Sequence, residues 1–170
     1  MSRLWTERQF AFDFPAEIYP IIVGRLRGTP ARLEERIADL PLELLVRRPE
    51  SGWSIQEHAG HLIEVEALFD GRLGEYEQGL AELRPADMSN QRTEAADFNS
   101  QDIGDVLMGF REVRTAFIAR IDAWLPERFS QRAWHPRLKT SMRACDMLSF
   151  MAEHDDHHLA RINDLTVDVK

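Results

Sequence analysis

The run Glu153-His154-Asp155-Asp156-His157-His158 gathers side chains that hold metal ions and move protons. If the run is helical, His154 and His158 stand one above the other, with roughly 5 to 6 Å between their β-carbons. Neutral imidazole suits zinc, nickel, copper and iron, so the pair forms a clamp that needs a third donor from another element. His61 is the residue placed to supply it. Three histidine ligands leave one position of a tetrahedral divalent ion open to water or substrate. A lone histidine on a helix more often packs, caps or faces solvent, and it is the pair on one face that favours coordination.

Other residues compete for the site or support it. His58 and His157 sit close enough in sequence to the chosen ligands to point toward the same interface, and both remain open as donors. His157 is turned by about 100° from His158, which favours a surface or cavity rim. His135 precedes Pro136 in a loop and receives no role. Glu64, Glu66, Asp155 and Asp156 could each accept the second N–H of a ligand imidazole, although such acids are more often simply solvated. Cys145 falls on nearly the opposite side of the last helix and reads as a small buried residue. Glycine-rich phosphate loops, paired Cys-x-x-Cys, Gly-x-Ser-x-Gly, His-Glu-x-x-His and paired Glu-x-x-His motifs are absent.

The elements that must position these histidines follow from periodicity and punctuation. Thr29-Pro30 reads as a helix entrance, with Leu33, Ile37 and Leu40 along one face and Pro41 closing it. Phe14 to Leu26 has helical spacing, but Pro20 predicts a kink and hence a broken or two-part first helix. Leu42 to Arg48 reads as a short turn. Ser54-Ile55-Gln56-Glu57 is a capping box that opens a second helix from about Ile55 to Leu80. Arg84 to Asn99 is a polar, interrupted crossover with too little apolar content for another core helix.

Ile103, Val106, Phe110, Val113, Phe117, Ile121 and Trp124 then mark a third bundle helix that ends near Pro126. Trp134-His135-Pro136 favours extended or turn geometry before a last helix begins near Arg143. That helix carries the stripe Met147, Met151, His154, His158, Ile162 and Leu165, in which two positions due to be apolar are histidines. No run alternates like a strand between hairpin turns. The expectation is a single all-α domain over residues 1–170, a four-helix bundle with a long crossover between the second and third helices that favours up-down-down-up order, up-down-up-down with an ordered surface loop remaining the alternative.

Composition narrows the partners. The 170 residues suffice for one core, and 44% hydrophobic with 29% charged residues is ordinary for a soluble protein. No stretch approaches the ~20 apolar residues of a membrane span. A formal net charge of -8 opposes binding to a phosphate backbone, so neither membrane nor nucleic acid is an expected partner. The charged N-terminus has no secretory h-region, and a lone cysteine fits a reducing cytoplasmic location.

Three segments in this order and spacing resemble the DinB-like superfamily of metalloenzymes: Thr29-Pro30-Ala31-Arg32-Leu33, Gly52-Trp53-Ser54-Ile55-Gln56-Glu57-His58-Ala59-Gly60-His61-Leu62, and His154-Asp155-Asp156-His157-His158-Leu159-Ala160-Arg161-Ile162. The resemblance runs from about Thr29 to Asp164. It implies His61, His154 and His158 as metal ligands, zinc or nickel as the ion, the up-down-down-up bundle, and a homodimer. Two positions depart from the family pattern. Arg143 stands where relatives often have a capping threonine or serine, leaving Thr140 or Ser141 to substitute. Ala160-Arg161 replaces a common Gly-Gln pair.

The activity implied is that of a metal-dependent transferase of a low-molecular-weight thiol, acting on a small-molecule substrate. A metal-dependent hydrolase and a non-catalytic metal-binding stress-response protein are the alternatives.

Overall fold

The structure is a computed structural model that describes residues 5–167. Its first long helix, α1 (Tyr19–Ile37), corrects two expectations. Pro20 lies in the first turn, where its missing N–H would have had no intrahelical partner, so it does not interrupt the helix; the segment is nevertheless in two parts, because a 3-10 turn at Ala16–Ile18 leads directly into α1 before the proline. Pro30 is not an entrance but lies inside the helix, where it removes the bond to the Leu26 carbonyl. Arg114, from a distant helix, repairs that loss by donating from Nη1 to Leu26 O at 2.9 Å. Thr29 caps nothing and instead donates to Asp155 Oδ2 at 2.8 Å.

A single turn, α2 (Leu42–Leu45), follows Pro41 as expected. Helix α3 (Ile55–Glu77) begins with the anticipated capping box: Glu57 N–H donates to Ser54 Oγ at 3.1 Å, and Ser54 N–H to the Glu57 carboxylate at 2.8 Å. It stops before Leu80 because Gly79 turns left-handed at φ 68°. There the Gly79 amide bonds Tyr76 O (3.1 Å) and the Leu80 amide bonds Glu75 O (2.9 Å), a Schellman closure.

The crossover carries a short helix, α4 (Gln91–Ala95), and a 3-10 turn at Phe98–Ser100. Phe98 packs so closely on α3 that a β-carbon at Gly60 would fall 2.2 Å from its ring. Helix α5 (Ile103–Asp122) is capped by Asp102, whose side chain accepts from the Gly104 amide at 2.8 Å.

Strands β1 (Arg132–His135) and β2 (Thr140–Arg143) form an antiparallel hairpin, which corrects the reading of the chain as free of strands. Each strand has only four residues and only β1 alternates in burial, so neither offers a periodic run long enough to detect. Backbone bonds of Trp134 to Ala81 and Leu83 tie the hairpin to the segment that follows α3.

Helix α6 (Ala144–Val167) starts without help from Thr140 or Ser141, both of which lie in β2. Asp146 instead accepts the Arg143 amide at 2.8 Å and also binds the Arg143 guanidinium.

Helices α1 and α3 each pack against both α5 and α6, so the order around the bundle is α1, α5, α3, α6. Two apolar clusters fill it, one around Leu26, Phe69, Phe117 and Met151 and the other around Leu33, Leu62, Phe110 and Leu159. Between these levels lies a polar layer of Thr29, Glu66, Arg114 and Asp155, all buried. Arg114 bonds Glu66 at 2.9 and 3.0 Å and Asp155 at 2.6 and 3.2 Å. One guanidinium thereby joins all four long helices. Among the described residues no helix is long and apolar enough to cross a membrane.

Candidate metal centre

The capping box fixes the phase of α3 so that its first two turns are wholly buried, and His61 is held there against α6. The i,i+4 spacing on α6 stacks His154 and His158 on the facing side, with their Nε2 atoms 3.2 Å apart. One ring nitrogen from each of His61, His154 and His158 lies within 4.8 Å of the others. The trio selected by sequence is therefore brought together.

Hydrogen bonds assign the inner and outer nitrogens. His61 Nδ1 lies 2.9 Å from Thr93 Oγ1, and His158 Nδ1 lies 2.9 Å from His58 Nδ1. A neutral ring that donates from Nδ1 keeps its lone pair on Nε2, and such an outer bond fixes tautomer and ring orientation in metal-ligating histidines. His154 Nδ1 is buried without a hydrogen-bond partner. Burial, reinforced by the crowding of the other histidines and, at His58 and His154, by arginines, pushes His58 down to about 3 and His61 down to about 4, and holds His154 and His158 well below the ordinary imidazole value. All four rings are neutral at pH 7, and three of them converge. That donor set fits a divalent cation of borderline softness.

The remaining candidates take other places. His58 sits behind His158 rather than in the trio, and His157 is half-buried on the cavity wall against Trp5 and His158. None of the four acids proposed as imidazole partners has that role. Glu66 and Asp155 bind Arg114, Asp156 binds Arg25 and Arg32, and Glu64 binds Arg92. Each has a nearby guanidinium, which outcompetes a neutral ring N–H as a donor. Burial raises the Cys145 thiol to about 11, which fits an inert core residue.

A cavity of about 770 Å³ opens over the trio. Trp53 packs on His61 at 4.7 Å and Trp5 meets His154 edge-on at 5.0 Å, so indoles flank the histidines. Sequence reading does not find Thr93 behind His61, nor the cavity-lining Trp5, Trp53, Arg72 and Arg137, and assigns no role to His135, which lines the cavity with them. The adjacency of Trp53 to the Ser54 cap was the one available signal, since a residue just before a buried first turn must pack against it.

A family model described as the DinB superfamily matches residues 25–162. Among solved structures, the chain is similar to YfiT from Bacillus subtilis, described as a probable metal-dependent hydrolase with an unusual four-helix bundle topology. The TM-score is 0.82 at 19% identity, over 96% of this chain and 94% of that one. No curated protein matches the chain.

Proposed function

Since the chain belongs to the DinB superfamily, we propose that it is a metal-dependent enzyme in which His61, His154 and His158 hold one divalent ion, zinc or nickel. The observation that carries this reading is that the three nitrogens line a cavity of about 770 Å³. A site that only braced helices would be closed by a fourth protein ligand and packed over. When bound, the ion supplies positive charge that lowers the pKa of a coordinated thiol or water enough to yield a nucleophile near neutral pH. Thr93 and His58 hold two of the imidazoles, and the flanking indoles narrow water's access to them.

The preferred reaction is transfer of a low-molecular-weight thiol, a small-molecule cofactor, to an electrophilic substrate: the thiol loses its proton, a carbon–sulfur bond forms and the leaving group departs with its electron pair. Hydrolysis is the second reading, favoured by the description of YfiT and served by the same open position. The long segment from Gln78 to Asp102 gives α3 and α5 enough chain to run parallel, which supports the up-down-down-up order as part of this proposal.

The test is conjugation of several bacterial thiols to a chloroaryl electrophile, beside hydrolysis of ester and amide panels, by protein of measured metal content. Thiol-dependent conjugation that disappears in each single His→Ala variant of the trio is expected. Hydrolysis without thiol would move the assignment to the second reading, and a fully metallated protein inactive in both would remove the catalytic role.

A further inference from the structure

The cavity has a second polar wall, built by the hairpin and α3. His135 accepts the Leu138 amide at Nδ1 (3.2 Å), so its neutral ring carries hydrogen on Nε2, and that N–H is buried with no acceptor. Arg137, in the turn between β1 and β2, has a buried Nη2 without a partner, and its guanidinium lies 5.5 Å over the Phe150 ring. The same ring meets His135 edge-on at 5.5 Å. Arg72 is 1% exposed, yet its hydrogen bonds go only to the Arg84 carbonyl, at 3.0 and 3.3 Å. The nearest acid on its helix, Glu75, is occupied by Arg84. The carboxylates that line the cavity, Glu7 and Asp87, are exposed, and Asp87 binds Ser89.

Burying a guanidinium without a counter-charge is costly, and an N–H shielded from water without an acceptor adds to that cost. Arg114 shows the compensated case: burial opposes its charge, but Asp155 and Glu66 hold it above the ordinary arginine value. Of the cavity's arginines, Arg161 binds Asp164, but Arg72 and Arg137 bond no carboxylate, and Arg72 feels the charge of Glu75 without a hydrogen bond to it. Burial holds Arg72 down to about 10, lowers Arg137, and with those two arginines pushes His135 to about 4. The wall is therefore short of negative charge and of acceptors.

We propose that Arg137, Arg72 and the His135 Nε2–H form an anion subsite that receives a carboxylate or phosphate group of the small molecule this cavity binds. Trp5 links the two walls, with its ring 4.9 Å from Phe150 and 5.0 Å from His154. The anion is thus held on the far side of Phe150 and Trp5 from the histidine trio, and the substrate or cosubstrate carries an oxyanion remote from its reacting end. The placement of the reacting end rests on the metal-enzyme reading, whereas the anion subsite does not.

Calorimetric titration with benzoate, phenyl phosphate and the neutral isostere benzamide separates the two. The proteins are the wild type as purified, Arg137→Met, Arg137→Lys, His135→Phe and His158→Ala, each checked for folding by its melting curve. At least one of the anions binds the wild type, and the tighter of the two identifies the group. Benzamide binds about tenfold or more weakly, Arg137→Met and His135→Phe each weaken the anion about tenfold, and Arg137→Lys falls between. Binding persists in His158→Ala, even if that variant holds no metal. Equal binding of benzamide, an unchanged Arg137→Met, or binding lost in His158→Ala while intact in Arg137→Met would overturn the subsite.

Discussion

His158 has a neighbour at each ring nitrogen, His154 at Nε2 and His58 at Nδ1, and this separates the proposed ligand from the residue that would orient it. Alanine at His61, His154 or His158 should abolish stoichiometric metal binding. His58→Ala and Thr93→Val should keep the ion but weaken it by about 10- to 100-fold in competition with a chelator. The pH dependence has a definite sign. The folded-state pKa values of His58 and His61, about 3 and 4, lie below the unfolded value near 6.5, so on acidification only the unfolded chain takes up these protons. Metal-free protein should hold its full stability above about pH 6.5 and lose up to ~1.4 kcal/mol per unit per histidine as pH falls toward 4. Glu66, raised to about 7 chiefly by burial, acts oppositely, since its contribution is lost as pH rises toward 7. It is one group against several histidines, so urea midpoints at pH 7 should exceed those at pH 5. The trio was legible because two polar residues break an apolar stripe. Thr93 was not, because its place depends on how the crossover folds back when Phe98 seats on Gly60.

The elements are held in phase by Arg114. Arg114→Met strands two buried carboxylates and should cost about 3 to 5 kcal/mol in chemical denaturation, with much of the loss recovered when Glu66→Gln and Asp155→Asn are added. Gly60→Ala drives a β-carbon into the Phe98 ring and should destabilise by about 1 to 3 kcal/mol, with Thr93 displaced from His61 as a second effect. Local signals sufficed where the physics is local. The Ser54 capping box and the proline after α5 both located helix ends. Thr29-Pro30 misled because it has the residues of an entrance, while the group that makes the proline tolerable, Arg114, lies on another helix. The hairpin stayed hidden for a related reason: its strands pair with each other and β1 pairs with the segment after α3, contacts that no single four-residue window records.

Across the whole molecule, two apolar clusters supply the packing and the polar groups between and beside them serve the layer and the cavity. An ion that joins α3 to α6 adds a cross-link present only in the folded state. Zinc at 100 times its dissociation constant should therefore stabilise by about 2.7 kcal/mol through mass action, and chelation should reverse it. The proposed centre has three histidine ligands and one position left open. X-ray absorption at the zinc edge tests it most directly, on loaded protein with and without a small thiol. A three-histidine site should show three imidazole nitrogens at about 2.0 to 2.1 Å and one oxygen, the oxygen giving way to sulfur at about 2.3 Å when thiol is added. Four imidazole ligands, unchanged by thiol, would contradict it.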